Sequence, residues 1–213
     1  MADIILHDYF RSSASYRVRI ALNLKGVAYQ KHSVNLAAGA QKEADYRALN
    51  PQGFVPMLEI DGRRIVQSLA IMDYLDATRP EPPLVPSDAE ARAHVLALAT
   101  VVACDTHPLN NLRVLKYLKG ELGLSDAAKD EWYCHWIAQG LSALEKLAQP
   151  RAGAFLFGDT PSLADICLVP QLYNARRFKC PLDEYPTLRR ADETASAHPA
   201  FAEAHPDVQE THA

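Results

Sequence analysis

The chain lacks any long hydrophobic run. Although 48% of its 213 residues are hydrophobic, no apolar stretch reaches the roughly 20 residues that a membrane-spanning helix needs. The first residues, Met1-Ala2-Asp3, include no basic segment followed by a long apolar stretch, so we expect no secretory signal. The pattern therefore argues against a membrane protein.

Cysteine is scarce, and its spacing excludes the common redox and zinc motifs. The four residues, Cys104, Cys134, Cys167 and Cys180, lie far apart and form no Cys-x-x-Cys pair. Most of them stand in apolar helical patterns, which is typical of buried free thiols. We interpret all four as free thiols in a reducing compartment and expect a cytoplasmic protein.

Several motifs that carry common chemistries are also absent. The chain has no GxGxxG, GxxxxGK[ST], HExxH or GxSxG segment, and its eight histidines show no paired metal-ligand spacing. Its formal net charge of −4 and pI near 6.0 lack the basic excess of nucleic-acid-binding proteins. We therefore expect neither nucleotide nor metal chemistry, and no nucleic-acid partner.

The predicted elements change in kind near residue 80. Apolar periodicity predicts strand, helix and strand, then two strands joined by the hairpin turn Asp61-Gly62, and a helix that begins at Ser68. Four prolines within residues 79–88 cannot continue a helix and indicate a linker. We predict an α/β domain at residues 1–82 and an all-α domain at residues 83–213.

The second domain is predicted to contain only helices. Residues 89–119 form one long helix or two, with Pro108 as a kink, and Ser87 or Asp88 is the expected cap. A further helix is expected over residues 126–148. The spacing from Ser162 to Asp165 predicts a capping box that begins the next helix. A last helix covers about 187–197, and the polar tail after Phe201 is expected to fray.

The most informative segment runs from Arg11 to Arg19. It places three serines and three arginines where a strand at residues 4–6 gives way to the first helix. Amide groups at a helix N-terminus favour an anion and can lower a thiol pKa below its free value of roughly 8.5. Because no cysteine stands here, the thiol must come from a ligand. An ordinary capped helix is the alternative interpretation.

Two later segments extend this pattern. Val55-Pro56 follows a glycine-containing turn, where a proline can be cis and leaves the Val55 backbone available to a peptide-like ligand. Gln67-Ser68 begins another helix and suits a carboxylate. Each segment alone also fits an ordinary edge-strand proline or helix cap. Taken with the first segment, they predict a groove for a small anionic thiol peptide.

Five segments resemble one protein family. They read YFRSSASYRVRIAL at 9–22, ALNPQGFVP at 48–56, QSLAI at 67–71, GDTPSLAD at 158–165 and LVPQLYNARRF at 168–178. They resemble the zeta class of glutathione transferases, which includes maleylacetoacetate isomerase and maleylpyruvate isomerase, over about residues 4–205. The resemblance implies a thioredoxin-like α/β domain, an all-helical domain, an active site in the cleft between them, and a homodimer.

The resemblance also implies which residues hold glutathione. Ser12 matches the serine that hydrogen-bonds the sulfur, and Ser13, Ala14 and Ser15 line the same turn. Many family members have cysteine at the position of Ala14, so no role of that cysteine applies here. The other implied contacts are Gln41 near the glycyl end, the Val55 backbone at the cysteinyl unit, Gln67 and Ser68 at the γ-glutamyl carboxylate, and His107, Asn111 and Arg113 on the first long helix.

The activity implied is glutathione-dependent isomerisation of maleylacetoacetate to fumarylacetoacetate in aromatic amino-acid catabolism. Ser12 and Ser13 would act at the thiol, and Arg11 and Arg177 would bind the substrate carboxylates. Two alternatives stay open. Some maleylpyruvate isomerases carry an arginine where this chain has Leu112, which favours maleylacetoacetate. The other alternative is a non-catalytic glutathione-binding protein.

Overall fold

A computed structural model describes residues 4–210 of the chain. The expectation about Met1-Ala2-Asp3 therefore lies outside the described residues. The described residues form two compact units. One contains the chain up to Leu84 together with the residues from His198 onward, and the other contains Val85–Ala197.

The first unit has the alternating elements that the sequence predicts. In chain order they are β1 (Ile5–Asp8), α1 (Ser13–Leu24), β2 (Gln30–Ser33), α2 (Ala44–Leu49), β3 (Met57–Ile60), β4 (Arg63–Val66) and α3 (Ser68–Thr78). The strands form one sheet in the order β2-β1-β3-β4. β1 pairs parallel with β2, whereas β3 pairs antiparallel with β1 and β4.

The two central strands of this sheet, β1 and β3, are mostly buried, whereas β2 at one edge is exposed and β4 at the other is exposed or partly exposed. Leu6 lies opposite Leu58 in the register, and both are completely buried. The hairpin turn Asp61-Gly62 has positive φ at both residues, 51° and 72°, which is the conformation that a tight two-residue hairpin needs. The strand order and turns confirm the predicted α/β character of this part of the chain.

The regular elements of the second unit are all helical over its described length, and one isolated β-bridge joins Ala152 and Gly158 in the loop between two of the helices. Its elements are α4 (Ala89–Thr100), a π-helical segment (Val101–Thr106), a 3-10 turn (His107–Asn110), α5 (Leu112–Gly120), α6 (Asp126–Ala148), α7 (Leu163–Arg177) and α8 (Pro186–Ala197). Asp88 caps α4 by accepting a hydrogen bond from the Ala91 amide at 2.9 Å. The predicted capping box is present, because Ser162 and Asp165 bond each other's backbone at the start of α7.

For residues 89–119 the sequence predicts one long helix or two, and the structure has two, α4 and α5, separated by the π-helical segment and the 3-10 turn. Thr106 Oγ1 donates to the carbonyl of Val101 at 2.8 Å inside the π-helical segment. α6 passes so close to this segment that a Cβ atom at Gly140 would collide with Thr106 Oγ1. Pro108 then lies inside the 3-10 turn, so the predicted kink is a change of helix type.

The expectation of a frayed tail is wrong up to residue 210, and the last three residues lie outside the described range. The tail forms two short helices, α9 (Pro199–Ala202) and α10 (Pro206–Glu210). Phe201 is completely buried, and the carbonyls of Ala200 and Ala204 accept hydrogen bonds from Asn23 and Arg19 of α1. Polar composition concealed these contacts because they are made by backbone carbonyls.

The interpretation of all four cysteines as buried free thiols is wrong for three of them. Cys134 of α6 and Cys180 after α7 form a disulfide with their Cα atoms 5.2 Å apart. Cys104 forms no disulfide but is exposed, and Cys167 is buried and forms no disulfide. The two bonded cysteines are 46 residues apart in sequence. The packing of the helices brings them together, so no local sequence motif could have predicted the disulfide.

A buried carboxylate on α6 holds the start of α8. Glu145 accepts hydrogen bonds from the amides of Thr187 and Leu188 at 3.1 and 3.0 Å. Burial alone would raise its pKa, but the hydrogen bonds from Thr187, Leu188 and Gln149 together lower the pKa below 4.5. The ionised form of Glu145 therefore stabilises the folded state above that pH, and the contribution disappears as pH falls through the lowered value.

We expect Glu145→Gln to lower the free energy of unfolding by about 1–2 kcal/mol at pH 7, because charged hydrogen bonds are stronger than neutral ones. The deficit should shrink as the pH falls below 4.5, where the wild-type carboxylate begins to be protonated. Urea unfolding at pH 7 and pH 4 measures both values. Glu193→Gln on the exposed face of α8 is the matched control and should match the wild type. A deficit that is independent of pH would rule out the assigned charge.

Two negative observations apply to residues 4–210. None of their helices is both long enough and apolar enough to cross a membrane. Within the same range, no cluster of three or more histidine, cysteine, aspartate or glutamate side chains is arranged to hold a metal ion.

Candidate active site

The turn between β1 and α1 presents the hydroxyl of Ser12. Ser12 is the N-cap of α1, and its Oγ accepts a hydrogen bond from the Ser15 amide at 3.2 Å. Its own amide donates to the carbonyl of Tyr9 at 2.8 Å, which closes the turn. Because this hydroxyl acts as an acceptor in the cap, its hydrogen is still available to an anion.

The other serines of the turn are less accessible than Ser12. Ser13 and Ser15 are buried, whereas Ser12 and Ala14 are partly exposed. Ser15 Oγ is completely enclosed and has no hydrogen-bond partner within residues 4–210. Among the three predicted serines, Ser12 is therefore the one whose hydroxyl a ligand sulfur can approach.

The three arginines of this segment do not lie together at the helix N-terminus. Arg11 is exposed, with its guanidinium 4.8 Å from the centre of the Phe10 ring. Arg17 and Arg19 are buried in α1, with 1% and 0% of their surface exposed. The expectation of three clustered arginines is thus correct only for Arg11, because the helical period turns the other two inward.

Arg19 is the residue that the sequence interpretation missed. Its Nη1 donates to both carboxylate oxygens of Asp8, at 2.7 and 2.9 Å. Its Nη2 donates to the Phe10 carbonyl, and its Nε to the Ala204 carbonyl, both at 3.0 Å. Arg19 thereby ties the end of β1 and the turn that presents Ser12 to α1. An arginine inside the apolar stripe of α1, with an aspartate ending β1, was the available signal.

The segment before β3 has the geometry that the sequence predicts for a peptide ligand. The Val55–Pro56 peptide bond is cis. The carbonyl of Phe54 accepts hydrogen bonds from the side chains of Tyr46 and Asn50, at 2.6 and 2.8 Å, which anchors the segment. The amide and carbonyl of Val55 make no hydrogen bond within residues 4–210. Both groups are therefore available to an extended ligand backbone.

Gln67 and Ser68 form the start of α3, as predicted. Gln67 has φ 71° and ψ 122°, a conformation that costs a residue with a side chain about 1–3 kcal/mol and that is concentrated at ligand sites. Its amide Nε2 donates to Gln52 Oε1 at 2.6 Å. Ser68 is buried at the first helical position. The first amides of a helix lack intrahelical partners and bind carboxylates well.

Gln41 lies in a 3-10 turn, Ala40–Lys42, beside the turn that precedes Val55. A Cβ atom at Gly53 would lie 2.7 Å from the Gln41 carbonyl oxygen, so glycine permits this approach. Gln41 is buried, and its Oε1 has no hydrogen-bond partner within the described residues. An unsatisfied buried acceptor of this kind can receive a ligand donor.

One apolar cluster joins these segments within the first unit. Val34, Tyr46 and Val55 form its buried centre, and Tyr9, Leu36 and Ala40 pack against it. The cluster therefore connects the turn before Ser12, the segment of Gln41 and the backbone of Val55. The Gln67–Gln52 hydrogen bond adds the start of α3. All predicted site segments of the first unit meet here.

The predicted residues of the second unit lie on two separate segments. His107 begins the 3-10 turn, and Asn111 is the N-cap of α5, with Oδ1 accepting from the Arg113 amide at 3.1 Å. Leu112 and Arg113 are exposed on the first turn of α5. Asn111 thus has a structural task that sequence interpretation did not assign to it.

Arg177 ends α7 on the other segment. It is exposed, and its guanidinium lies 5.9 and 5.8 Å from the ring centres of Tyr173 and Phe178. Its neighbour Arg176 forms an ion pair with the buried carboxylate of Asp192. Within residues 4–210, Arg177 has neither an ion pair nor a hydrogen bond. Of the two arginines, Arg177 is the one whose donors are available to a ligand.

The N-terminal and C-terminal domain families of glutathione S-transferases match residues 11–78 and 137–210. A probable maleylacetoacetate isomerase of Vibrio cholerae is 47% identical over 98% of both chains.

Two solved structures are also closely similar. A bacterial maleylpyruvate isomerase, described as a zeta-class glutathione S-transferase, has 43% identity and a TM-score of 0.94 over 96% of this chain and 98% of its own. Maleylacetoacetate isomerase from Anaeromyxobacter dehalogenans with bound glutathione has 47% identity and a TM-score of 0.87, over 96% and 95%. With both domain families matched and these relatives aligned over nearly their whole length, the chain belongs to the glutathione S-transferase family, in its zeta class.

Proposed function

We propose that this protein is a glutathione-dependent cis–trans isomerase that converts maleylacetoacetate to fumarylacetoacetate. The observation that supports this most directly is the position of the partly exposed Ser12 hydroxyl at the N-terminus of α1. The turn before Ser12 packs, through Tyr9, in the same apolar cluster as Val55, whose backbone amide and carbonyl are available to a ligand. Similar proteins are named maleylacetoacetate isomerase, and one was solved with glutathione in its active site. We further propose a homodimeric, cytoplasmic enzyme, as the family resemblance favours; the Cys134–Cys180 disulfide removes the free-thiol argument for that compartment.

Glutathione binding is assigned to the first unit. The Val55 amide and carbonyl pair with the cysteinyl unit of the peptide, and its γ-glutamyl carboxylate lies at Gln67 and the first amides of α3. Gln41, with its unsatisfied buried oxygen, receives a donor near the glycyl end. These contacts place the sulfur at Ser12, where the hydroxyl and the helix N-terminus favour the thiolate.

The glutathione thiolate is the nucleophile, and the protein supplies the groups that stabilise the negative charge of the thiolate, the enolate and the substrate carboxylates. A conjugated double bond does not rotate freely, so the thiolate adds to one alkene carbon and the displaced electron pair forms an enolate on the neighbouring carbonyl. Rotation about the new single bond follows. The enolate then reforms the double bond and expels the thiolate, which regenerates glutathione. No net oxidation or proton transfer occurs over the cycle.

The substrate carboxylates are assigned to Arg11 and Arg177. A guanidinium meets a carboxylate with two parallel hydrogen bonds, which lysine cannot do. The backbone amides of Ser13 and Ala14, in the first turn of α1, are assigned to the enolate oxygen. His107, Asn111 and Arg113, which the family resemblance implies as glutathione contacts, lie in the second unit. We propose that they surround the substrate once it is bonded to the glutathione sulfur.

Maleylpyruvate isomerisation is the second candidate, because the similar structure with a TM-score of 0.94 is a maleylpyruvate isomerase. The same thiolate mechanism acts there on a shorter diacid. Leu112, exposed beside Arg113, favours maleylacetoacetate. Turnover of both diacids by one preparation separates the candidates. Binding of glutathione without turnover of either would indicate a non-catalytic glutathione-binding protein.

We expect Ser68→Ala to weaken glutathione binding about 10-fold, because one hydrogen bond to a charged carboxylate is lost while the helix amides remain. Calorimetric titration with glutathione measures the dissociation constant. Ser87→Ala, an exposed serine before α4, is the control and should bind like the wild type. Unchanged affinity of the Ser68 variant would remove this residue from the carboxylate site.

A further inference from the structure

Consecutive residues near the start of α6 contact the segment that leads into α5. Trp132 Nε1 donates to the Leu109 carbonyl at 3.0 Å. The Tyr133 carbonyl accepts from the buried side chain of Asn110 at 3.1 Å. Leu109 and Asn110 immediately precede Asn111, the cap of the helix that carries Arg113. Two hydrogen bonds thus fix the start of α5 to α6.

The same stretch of α6 also contacts the turn that follows α7. The Tyr133 ring stacks on Phe178, with ring centres 3.6 Å apart and planes 11° from parallel. Cys134 is bonded to Cys180, and its sulfur lies 3.6 Å from the Phe178 carbonyl oxygen. Phe178 directly follows Arg177, so these contacts fix the end of α7 that carries this arginine.

The guanidinium of Arg177 lies close to the stacked rings of Tyr133 and Phe178. Its guanidinium lies 5.8 Å from the centre of the Phe178 ring, which is the ring stacked on Tyr133. Burial raises the pKa of Tyr133 above its ordinary value of 10.0, and the positive charge of Arg177 opposes this rise. The Arg177 guanidinium therefore lies beside the Tyr133–Phe178 stack.

We infer that Trp132, Tyr133 and Cys134 form a brace, the α6 brace. It fixes the separation between Arg177, assigned to one substrate carboxylate, and the segment of Asn111 and Arg113, assigned to the surroundings of the substrate, and so limits the length of the diacid. α6 is suited to this because it is 23 residues long and anchored by the buried Ile137 and Leu141. One helix holds both the segment of Asn111 and Arg113 and the segment of Arg177. The inference rests on the proposed function, because it presupposes a substrate with two carboxylates.

The brace residues act through other residues and are positioning residues. Weakening the brace removes no contact to the substrate, but it lets the distance between the two segments vary over a wider range. The Michaelis constant for the diacid should therefore rise, and the preference between maleylacetoacetate and the shorter maleylpyruvate should decrease. Glutathione affinity should not change, because its contacts are assigned to the first unit.

The deciding variant is Tyr133→Leu, which removes the stacked ring, with Tyr133→Phe as the matched control that keeps it. For Tyr133→Leu we expect KM for maleylacetoacetate to rise roughly 2- to 10-fold, the range that one lost aromatic contact gives. The ratio of kcat/KM between the two diacids should move toward one. The Michaelis constant for glutathione should stay constant, and the Tyr133→Phe variant should match the wild type.

A second variant keeps the test decisive if Tyr133→Leu does not fold. Trp132→Phe keeps an aromatic side chain but removes the indole N–H that donates to the Leu109 carbonyl, and the same shift in diacid preference is expected. If the wild type isomerises either diacid but the folded variants keep its Michaelis constants and preference, the brace inference is wrong. If the wild type isomerises neither, the proposed function itself fails.

Discussion

Replacing Ser12 with alanine should lower kcat roughly 10- to 150-fold, which corresponds to the loss of one hydrogen bond to a charged group. Ser12 Oγ already accepts the Ser15 amide in the helix cap, so its hydrogen is the part assigned to the thiolate. Glutathione affinity should change little, because Val55, Gln67 and Ser68 hold the peptide. The pKa of the bound thiol should rise by about 1 to 2.

Ultraviolet absorbance of the thiolate, followed against pH, measures that pKa directly. Ser125→Ala is the matched control, because Ser125 caps α6 by accepting the Ala128 amide at 3.1 Å, as Ser12 does in α1. Both variants lose a capping bond worth about 1 kcal/mol of stability. Only the Ser12 variant should lose turnover. Near wild-type kcat in Ser12→Ala would exclude this hydroxyl from the mechanism.

Replacing Arg177 with alanine should lower kcat/KM for the diacid roughly 10- to 150-fold, mainly through KM. The guanidinium makes no ion pair or hydrogen bond within residues 4–210, so Tm should stay nearly unchanged. Arg177→Lys should shift KM in the same direction but less, because lysine keeps the charge without the planar fork.

Arg176→Ala provides the contrast for this prediction. Arg176 pairs with Asp192, a buried carboxylate, so its loss should lower Tm and leave KM for the diacid unchanged. If Arg177→Ala instead unfolds the protein, or leaves KM alone, the residue has only a structural role at the helix end. The carboxylate contact must then be sought at Arg11 or Arg113.

Local features of the site were predictable from the sequence. The caps at Ser12, Asp88 and Ser162 each involve residues within three positions along the chain, and their residue types have strong helix-capping preferences. The Asp61-Gly62 hairpin and the cis proline at Pro56 are likewise encoded locally. Sequence patterns can predict interactions between residues that are this close together along the chain.

Interactions between distant residues were not predictable in the same way. The Arg19–Ala204 hydrogen bond and the Cys134–Cys180 disulfide join residues 185 and 46 positions apart. Arg19 has the residue type of a solvated helix face, yet it is buried because Asp8 and two carbonyls satisfy its donors. The π-helical segment likewise packs closely on α6 where Gly140 approaches Thr106, a contact that no pattern within residues 89–119 encodes.

The most direct test of the account measures isomerisation and free glutathione thiol in one reaction. Purified protein, maleylacetoacetate and a small fraction of one equivalent of glutathione are mixed, and trans product and thiol are followed together. We predict complete conversion to fumarylacetoacetate, with all glutathione thiol recovered at the end. Conversion no faster than with glutathione alone, or thiol consumed in proportion to substrate as a stable adduct, would contradict the account.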